Sequence, residues 1–374
     1  MTSAFHHRPT RIEVCENSLA NNARRLQDHV GSAKIMAVVK ANGYGHGLVS
    51  TASILIKAGI DSLGVAYIEE AVELRRAGIR APILVFGGLL QDQLDLYLEH
   101  NVDVTASSVS KLEQIEESAI RVGRRARVHL KIDTGLERIG THYYSSEPLF
   151  EAALKSKSCD IVGVYSHFAD VNSNDNSLAK LQLERFLECL RFYEERTVRP
   201  FMRHIANSAA ILEMPESYLD MVRPGLLLYG VMPHENPSCW LGLNPTLSLK
   251  SHVVYFKVIK EGAGVSYGHS WHAPCDTRII TIPLGYGDGF LRALSNRGSV
   301  LVDGHHRAIV GKICMDQLMV DLTPAGQAYN GDEVVLIGTQ GDKTITVNDL
   351  AKTLDTTPHE ILVSLNQRIP RVLV

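Results

Sequence analysis

Lys40 ends the apolar run 35–39 (IMAVV) and is followed by ANGYGHG, where Gly43, Gly45 and Gly47 interrupt any regular element. A run of that length without alternation, bounded by turn residues, reads as a short strand buried on both faces. The lysine therefore stands where the strand leaves the core, and the glycines beyond it let the backbone turn tightly and approach a ligand closely. An ordinary lysine at a strand end is simply solvated. A partly desolvated one is a nucleophile, able to form a Schiff base with a carbonyl group.

Polar residues follow other apolar runs in the same way. Tyr44 lies just behind Lys40, Lys131, Asp133 and Arg138 surround 127–132, and His167 follows 161–165. Asn207 and Ser208 follow 202–206, and Arg223 with Gly225 follows 220–223. Singly each has a plain structural use, His167 as a satisfied core histidine and Arg223 as a surface cation. Jointly they fit one rim, because a closed parallel barrel does its chemistry at the C-terminal ends of its strands.

The elements that must position them recur as short apolar runs alternating with amphipathic stretches. Strands are read at 35–39, 62–66, 83–86, 102–105, 127–132, 161–165, 202–206 and 220–223. Eight βα-like units favour a closed (β/α)8 TIM barrel over an open doubly wound sheet. The longest helical pattern, 177–196, places Leu178, Leu181, Phe186, Leu190 and Tyr193 at core spacing. After Gly230 the prolines 233, 237 and 245 mark a loop-rich boundary, and strands follow at 247–260, 278–284, 299–302, 306–321 and 332–338. Helices close the chain at 347–354 and 358–365. The α/β architecture expected is thus a barrel over 1–240 and a smaller, mainly β domain over 241–374.

Composition narrows the function classes. The 374 residues, 45% hydrophobic and 21% charged, suit two globular domains, and a net charge of -3 gives no electrostatic footprint for nucleic acid or an anionic membrane. The N-terminal stretch lacks the apolar segment of a secretory signal, and no run approaches the roughly 18 apolar residues of a membrane span, so a cytoplasmic location is expected. Six cysteines without paired C-x-x-C spacing argue against a zinc site or a disulfide framework. Neither a phosphate-binding G-x-x-x-x-G-K-[ST] loop nor a strand followed by G-x-G-x-x-G is present.

Taken together the motifs resemble those of the alanine racemases, pyridoxal-phosphate enzymes of fold type III. AVVKANGYGHG is similar to that family's cofactor lysine segment, and KIDTGLERIG (131–140), YSHFAD (165–170), ANSAA (206–210) and RPGLLLYG (223–230) follow in the family's order. VSYG (265–268), GYGDG (285–289) and GKICMDQ (311–317) extend the likeness into the second domain. The resemblance implies that Lys40 holds pyridoxal 5'-phosphate, with Tyr44, His167, Ser208 and the amides of Gly225 and Leu226 in the cofactor site. Arg223 is then the partner of the pyridine nitrogen, Arg138 and Met315 meet the substrate, and Lys131, Tyr286 and Asp316 support the site. Lys131 is often carbamylated in that family, and the alternative is a lysine steadied by an anion such as chloride.

Racemisation requires that a weakly acidic α-proton leave one face and return to the other, which two bases on opposite faces do most directly. The resemblance assigns Lys40 to the D-face and Tyr267 to the L-face, with His167 and Arg223 hydrogen-bonded behind the phenol. A phenol ordinarily titrates near about 10 and needs such neighbours to act as a base. The family's homodimer, with one chain's β domain over the other's barrel mouth, and a role in supplying D-alanine for bacterial peptidoglycan are further implications. One position departs from the pattern: TTPHE (356–360) puts His359 where a phosphate-binding tyrosine is usual. A barrel decarboxylase and a non-catalytic cofactor carrier are the competing readings. The first usually has a glycine triplet that is missing here, and the second is a lone barrel without the long β segment.

Overall fold

The computed structural model describes residues 8–374 apart from 173, 197, 199–201, 236 and 325. The chain forms two compact units, one made of Leu19–Gly43 and Leu48–Asn244, the other of Tyr44–Gly47, Pro245–Val374 and the N-terminal stretch through Ser18. The second unit is discontinuous in sequence for a plain reason. Strand β1 (Arg11–Val14) pairs antiparallel with one strand of that unit, Leu247–His252, and parallel with another, Arg371–Leu373.

The first unit is built on β2 (Lys34–Val38), β3 (Ser62–Val65), β4 (Ile83–Val85), β5 (Val104–Ala106), β6 (Ala126–Asp133), the short β7 (Thr141–His142), β8 (Cys159–Tyr165), β9 (Met202–His204) and β10 (Met221–Val222). Parallel pairing runs β10-β2-β3-β4 and β5-β6-β8-β9, with β7 alongside β6. The two arcs close on each other. A parallel bridge joins Leu84 to Asp103, and the amides of Asp220 and Arg223 donate to the carbonyls of Arg203 and Ala206 at 3.1 and 2.9 Å. Each of the eight strands expected from the sequence is present within two residues, and together they make the (β/α)8 barrel. Met36, Leu84, Tyr165 and Met221 pack together inside it, with Phe86 and Met202 against them.

The helix Ser177–Glu195 corrects one expectation. Leu178 and Leu181 are 43% and 41% exposed, whereas Ala179, Gln182, Leu183, Phe186, Leu190 and Tyr193 are buried. Gln182 fixes the rotation. Its amide accepts from Ala169 N at 2.8 Å and donates to the His167 carbonyl at 3.1 Å, so the inward face centres on a polar residue and turns both leucines out.

In the second unit β11 (Leu247–His252), β12 (Tyr255–Ile259), β13 (Gly264–Val265), β14 (Trp271–His272), β15 (Thr277–Ile282), β16 (Ser299–Val302), β17 (His305–Ala308), β18 (Leu318–Asp321), β19 (Glu333–Gln340), β20 (Lys343–Ile345) and β21 (Arg371–Leu373) follow in order. One sheet runs β17-β16-β19-β11-β1-β21, a second β12-β15-β18, and β13-β14 is a hairpin. The single strand expected at 247–260 is two, because the chain leaves one sheet at His252 and enters another at Tyr255. The strand expected at 306–321 is likewise two, separated by the loop that carries Met315. Helices Val347–Leu354 and Pro358–Ser364 stand close to where the sequence places them. No helix among the described residues is long and apolar enough to cross a membrane.

Candidate active site

At the end of β2 the backbone does something costly. After Lys40, Ala41, Asn42 and Gly43 all take left-handed conformations, with φ of 53°, 57° and 60°, and Tyr44 follows at 52°. Each non-glycine residue in that region costs about 1–2 kcal/mol. The turn is held by specific bonds: Ala41 N donates to Glu70 Oε1 at 2.6 Å, Leu48 N to Asn42 Oδ1 at 2.9 Å, and Gly43 N to the Val39 carbonyl at 2.8 Å. Strain of this kind persists where surroundings over-determine the conformation. Its effect is to leave Lys40 half-buried at the barrel rim. Burial lowers the pKa of its ammonium, the charge of Arg138 adds to the effect, and Glu70 opposes it.

Arg138 is placed by Asp133, which closes β6. The Asp133 carboxylate accepts from the amides of Gly135, Leu136 and Glu137 at 2.9, 2.9 and 3.2 Å and from that of Arg138 at 3.1 Å. Burial works against its ionisation, but these bonds outweigh it and hold the carboxyl below its ordinary range. Asp133 therefore folds the loop, and the exposed Arg138 is what the loop presents. Lys131, two residues earlier and on the same face of the strand, is 4% exposed with its Nζ 4.5 Å from the centre of the Tyr165 ring. Burial drives its pKa well down, Arg223 adding, Asp133 opposing and Arg138 adding again.

Arg223 is the hub of the rim. Nη1 donates to Nδ1 of His204 at 2.8 Å, while Nη2 meets the Ser166 and Ile205 carbonyls at 2.7 and 3.0 Å and Nδ1 of His167 at 3.1 Å. Burial brings its pKa down to about 10, which leaves the guanidinium charged at neutral pH. For His167 the direction is far down, from burial first and then from Arg223, Lys131, Arg138 and Lys40. The imidazole is accordingly neutral and accepts from the arginine. Tyr165 lies against His204, the rings parallel within 1° and 4.9 Å apart, and its own pKa is raised to about 12 by burial.

Ser208 and Gly225 converge from two different strand ends. Asn207 caps the short helix Ser208–Glu213, its side chain accepting from Ala210 N at 3.0 Å. Gly225 N donates to Ser208 Oγ at 2.9 Å and Leu227 N approaches the same oxygen at 3.4 Å, with Leu226 between them. One hydroxyl and neighbouring backbone amides, starting two residues beyond Arg223, form a donor set suited to a phosphate.

The remaining expected residues belong to the second unit. Tyr44 is buried and its ring lies 5.7 Å from that of His359 at a 48° tilt, so the histidine does stand beside a residue assigned to the same site. Gly45 is required there, because a Cβ would come within 2.3 Å of the Leu362 carbonyl and φ is +81°. Tyr267, on the β13-β14 turn, is 70% exposed, and Met315 53%. The loop of Met315 packs on the GYGDG segment: Tyr286 N and Gly287 N donate to the carbonyls of Cys314 and Met315 at 3.1 and 2.8 Å. Asp316 accepts from Arg368 at 2.6 Å, and the same guanidinium reaches Asp288 at 3.0 Å.

Several residues of the rim escaped the sequence reading, namely Glu70, Tyr165, His204 and, behind them, His129 and Asp103. A signal was present for one of them, His129. HLKID alternates His129, Lys131 and Asp133 on one face of a strand whose surroundings are buried, and polar residues there must be paired. The described residues include no group of three or more His, Cys, Asp or Glu side chains that could hold a metal ion.

A parallel barrel that carries at its strand ends a half-buried amine, a guanidinium fixed by carbonyls and imidazoles, and a donor set suited to a phosphate has the arrangement of a barrel enzyme. Residues 14–233 match the alanine racemase N-terminal domain and residues 246–373 the alanine racemase C-terminal domain. The chain is 42% identical over 369 residues, 98% of its length and 95% of the relative's, to alanine racemase 2 of Caldanaerobacter subterraneus subsp. tengcongensis. The crystal structure of alanine racemase from D-cycloserine-producing Streptomyces lavendulae is similar at a TM-score of 0.94 and 37% identity, covering 98% of this chain and 97% of that one. Alanine racemase from Bacillus anthracis with bound L-Ala-P matches at 0.91 and 33%, covering 98% and 95%. The chain belongs to the alanine racemase family.

Proposed function

We propose that the protein interconverts L- and D-alanine with pyridoxal 5'-phosphate held on Lys40. The observation that carries this reading is the half-buried Lys40, its pKa lowered, on the same rim as a guanidinium fixed by carbonyls and imidazoles. The residues present fit the group: Ser208 and the amides of Gly225 and Leu226 for its phosphate and Arg223 for the ring nitrogen, with Tyr44 and His359 the residues the second unit would add. Bound there, pyridoxal phosphate supplies the electron sink that makes an amino acid's α-proton removable.

The protein's own residues do the rest. Arg138 pairs with the substrate carboxylate and fixes which way the Cα–H bond points. Lys40 Nζ takes or returns the proton on one face and the Tyr267 phenol on the other, Met315 bounds the space for a small side chain, and His167 joins the phenol to Arg223. An arginine at the ring nitrogen supplies a charged donor that holds its own proton, which moderates the sink and restrains side reactions. Lys131 in carbamate form would orient Arg138, while Tyr286 and Asp316 hold the Met315 loop. The exposure of Tyr267 and Met315 in a single chain supports a homodimer in which a second copy supplies them. The D-alanine made would serve peptidoglycan, in a cytoplasmic enzyme.

The test is direct. Purified protein with pyridoxal phosphate is given L-alanine and followed by chiral chromatography, with carbon dioxide measured alongside. Borohydride reduction and peptide mapping should place the pyridoxyl mass on Lys40. Carbon dioxide release without racemisation favours a decarboxylase, and cofactor binding without turnover favours a carrier.

A further inference from the structure

Behind Arg223 a line of polar side chains crosses the barrel wall. Nε2 of His204 lies 2.9 Å from Nδ1 of His129, and Nε2 of His129 lies 3.5 Å from Oδ2 of Asp103. Arg127 donates to both oxygens of that carboxylate, at 2.8 and 3.3 Å. His204, His129 and Asp103 are 0%, 3% and 3% exposed, so each ring nitrogen must find its match inside the protein.

The matching has one solution. A guanidinium has donors and no acceptor, so Nδ1 of His204 facing Arg223 must carry a lone pair. The proton of His204 is then on Nε2 and is given to Nδ1 of His129, whose own proton must sit on Nε2, toward Asp103. Every donor points the same way, from the cation at the rim to an anion in the wall. Reversing the order would set an N–H of His204 against the N–H groups of Arg223, and an unsatisfied buried donor costs about 1–3 kcal/mol.

Two features hold the rings in place. His129 pairs across the β6–β8 ladder with Gly163, where the register shifts, and a Cβ on Gly163 would lie 2.2 Å from the His129 Nδ1. The space of one missing side chain is thus filled by the imidazole. Tyr165 covers the face of His204, and its hydroxyl is fixed 2.9 Å from Thr105 Oγ1, which donates to the Val85 carbonyl at 2.7 Å.

We propose that His129 and Asp103 are positioning residues, which lock His204 in the tautomer that presents Nδ1 to Arg223 and so fix the guanidinium at the site. The proposal rests on the reading above only for the role of Arg223 toward the cofactor; the tautomers themselves belong to the protein alone. Asp103→Asn is the informative change. The shorter of the two Arg127 bonds holds Oδ1, so the amide NH2 takes the place of Oδ2 opposite His129 Nε2 and calls for the opposite tautomer, as happens when the aspartate of a serine-protease triad is replaced by asparagine.

In holoenzyme with 15N-labelled histidine, imidazole NMR of the unmodified protein should find Nε2–H on both His204 and His129, assigned by the signals lost in His204→Gln and His129→Gln. Asp103→Asn should keep cofactor occupancy, move the proton of His129 to Nδ1, shift the absorption band of the bound cofactor and lower kcat roughly ten- to a hundredfold, the range of outer partners that orient an inner ligand. KM should change much less, and Asp103→Glu should recover part of the loss. Nδ1–H on either histidine in the unmodified protein overturns the proposal even if the variant does not fold, as does an Asp103→Asn enzyme with unchanged tautomers and kcat. Absence of racemisation in the unmodified holoenzyme overturns the functional reading instead and leaves the tautomer result standing.

Discussion

Ser266 donates its hydroxyl to the carbonyl of Lys312 at 2.5 Å, tying the turn that carries Tyr267 to the loop that carries Met315. The two segments are far apart in sequence, and Ser266 holds a left-handed φ of 63° to make the bond. Gly311 allows the approach, since a Cβ there would stand 2.6 Å from the Val265 carbonyl. Ser266→Ala removes a bond of about 0.5–1.5 kcal/mol and loosens the phenol relative to the methionine. The expected result is a two- to tenfold loss of kcat, roughly what that energy allows, with cofactor occupancy unchanged. Unchanged kcat would show that the tie does not position Tyr267.

Lys131 offers a second test. Its amine is buried over Tyr165 beside two arginines, and its pKa is driven well down. A neutral amine is the form that adds carbon dioxide, and the resulting carbamate anion would be attracted by Arg138, whose charge disfavours the ammonium form. Protein in 13C-bicarbonate should give one carbamate carbon signal that is lost in Lys131→Met. No signal at saturating bicarbonate would leave Lys131 an amine steadied by an anion such as chloride.

The part of this site legible in the sequence is the part carried by local rules. Lys40 was readable because a continuous apolar run ends on it and glycines follow, and the eight strands because buried parallel strands leave unbroken apolar runs. Leu178 and Leu181 were misread because helical spacing alone does not say which face is inward, and here Gln182 decides it through bonds to a distant loop. The break at Val253–Val254 was hidden because the strands on either side of it are each strand-like, and only sheet membership separates them. The partners of His129, namely His204 and Asp103, come from other segments of the barrel wall, and no local pattern encodes that pairing.

Acid stability follows from two of the imidazoles. His167 and His204 have folded-state pKa values well below the ordinary value near about 6.5. Below that pH the unfolded chain binds protons that the folded protein does not, so their contribution to stability is complete above about 6.5 and declines as the pH falls. Each contributes a slope of at most about 1.4 kcal/mol per pH unit. Asp103 and Asp133, whose pKa values are lowered, add a further loss only as the pH falls below about 3.9. The thermal midpoint should therefore begin to drop below about pH 6.5, well before the carboxylates titrate, and more gently in His204→Gln. A midpoint flat from pH 7 to 5 would contradict the neutral state of both rings.

The assignment of one base to each face makes the sharpest prediction. In the reading proposed above, Lys40 would leave the cofactor when an amino acid took its place and, tethered just beyond β2, would stay on one side of it. Tyr267 stands on the turn between β13 and β14, exposed in the single chain and free to be brought to the other side by a second copy. If Tyr267 handles the proton of L-alanine and Lys40 that of D-alanine, Tyr267→Phe damages the two exchange reactions unequally. In deuterated water the variant should lose α-proton exchange from L-alanine by at least a hundredfold, within the roughly 10²–10⁴ contributed by a positioned acid or base. Exchange from D-alanine should persist in part, because Lys40 can still remove and return its proton. Mixing Tyr267→Ala with Lys40→Ala should then recover activity through hybrid dimers, each with one site in which both bases are intact. Equal and near-complete loss of exchange from both enantiomers, with cofactor bound, would rule out one base per face, and no recovery after confirmed subunit exchange would place both bases in one chain.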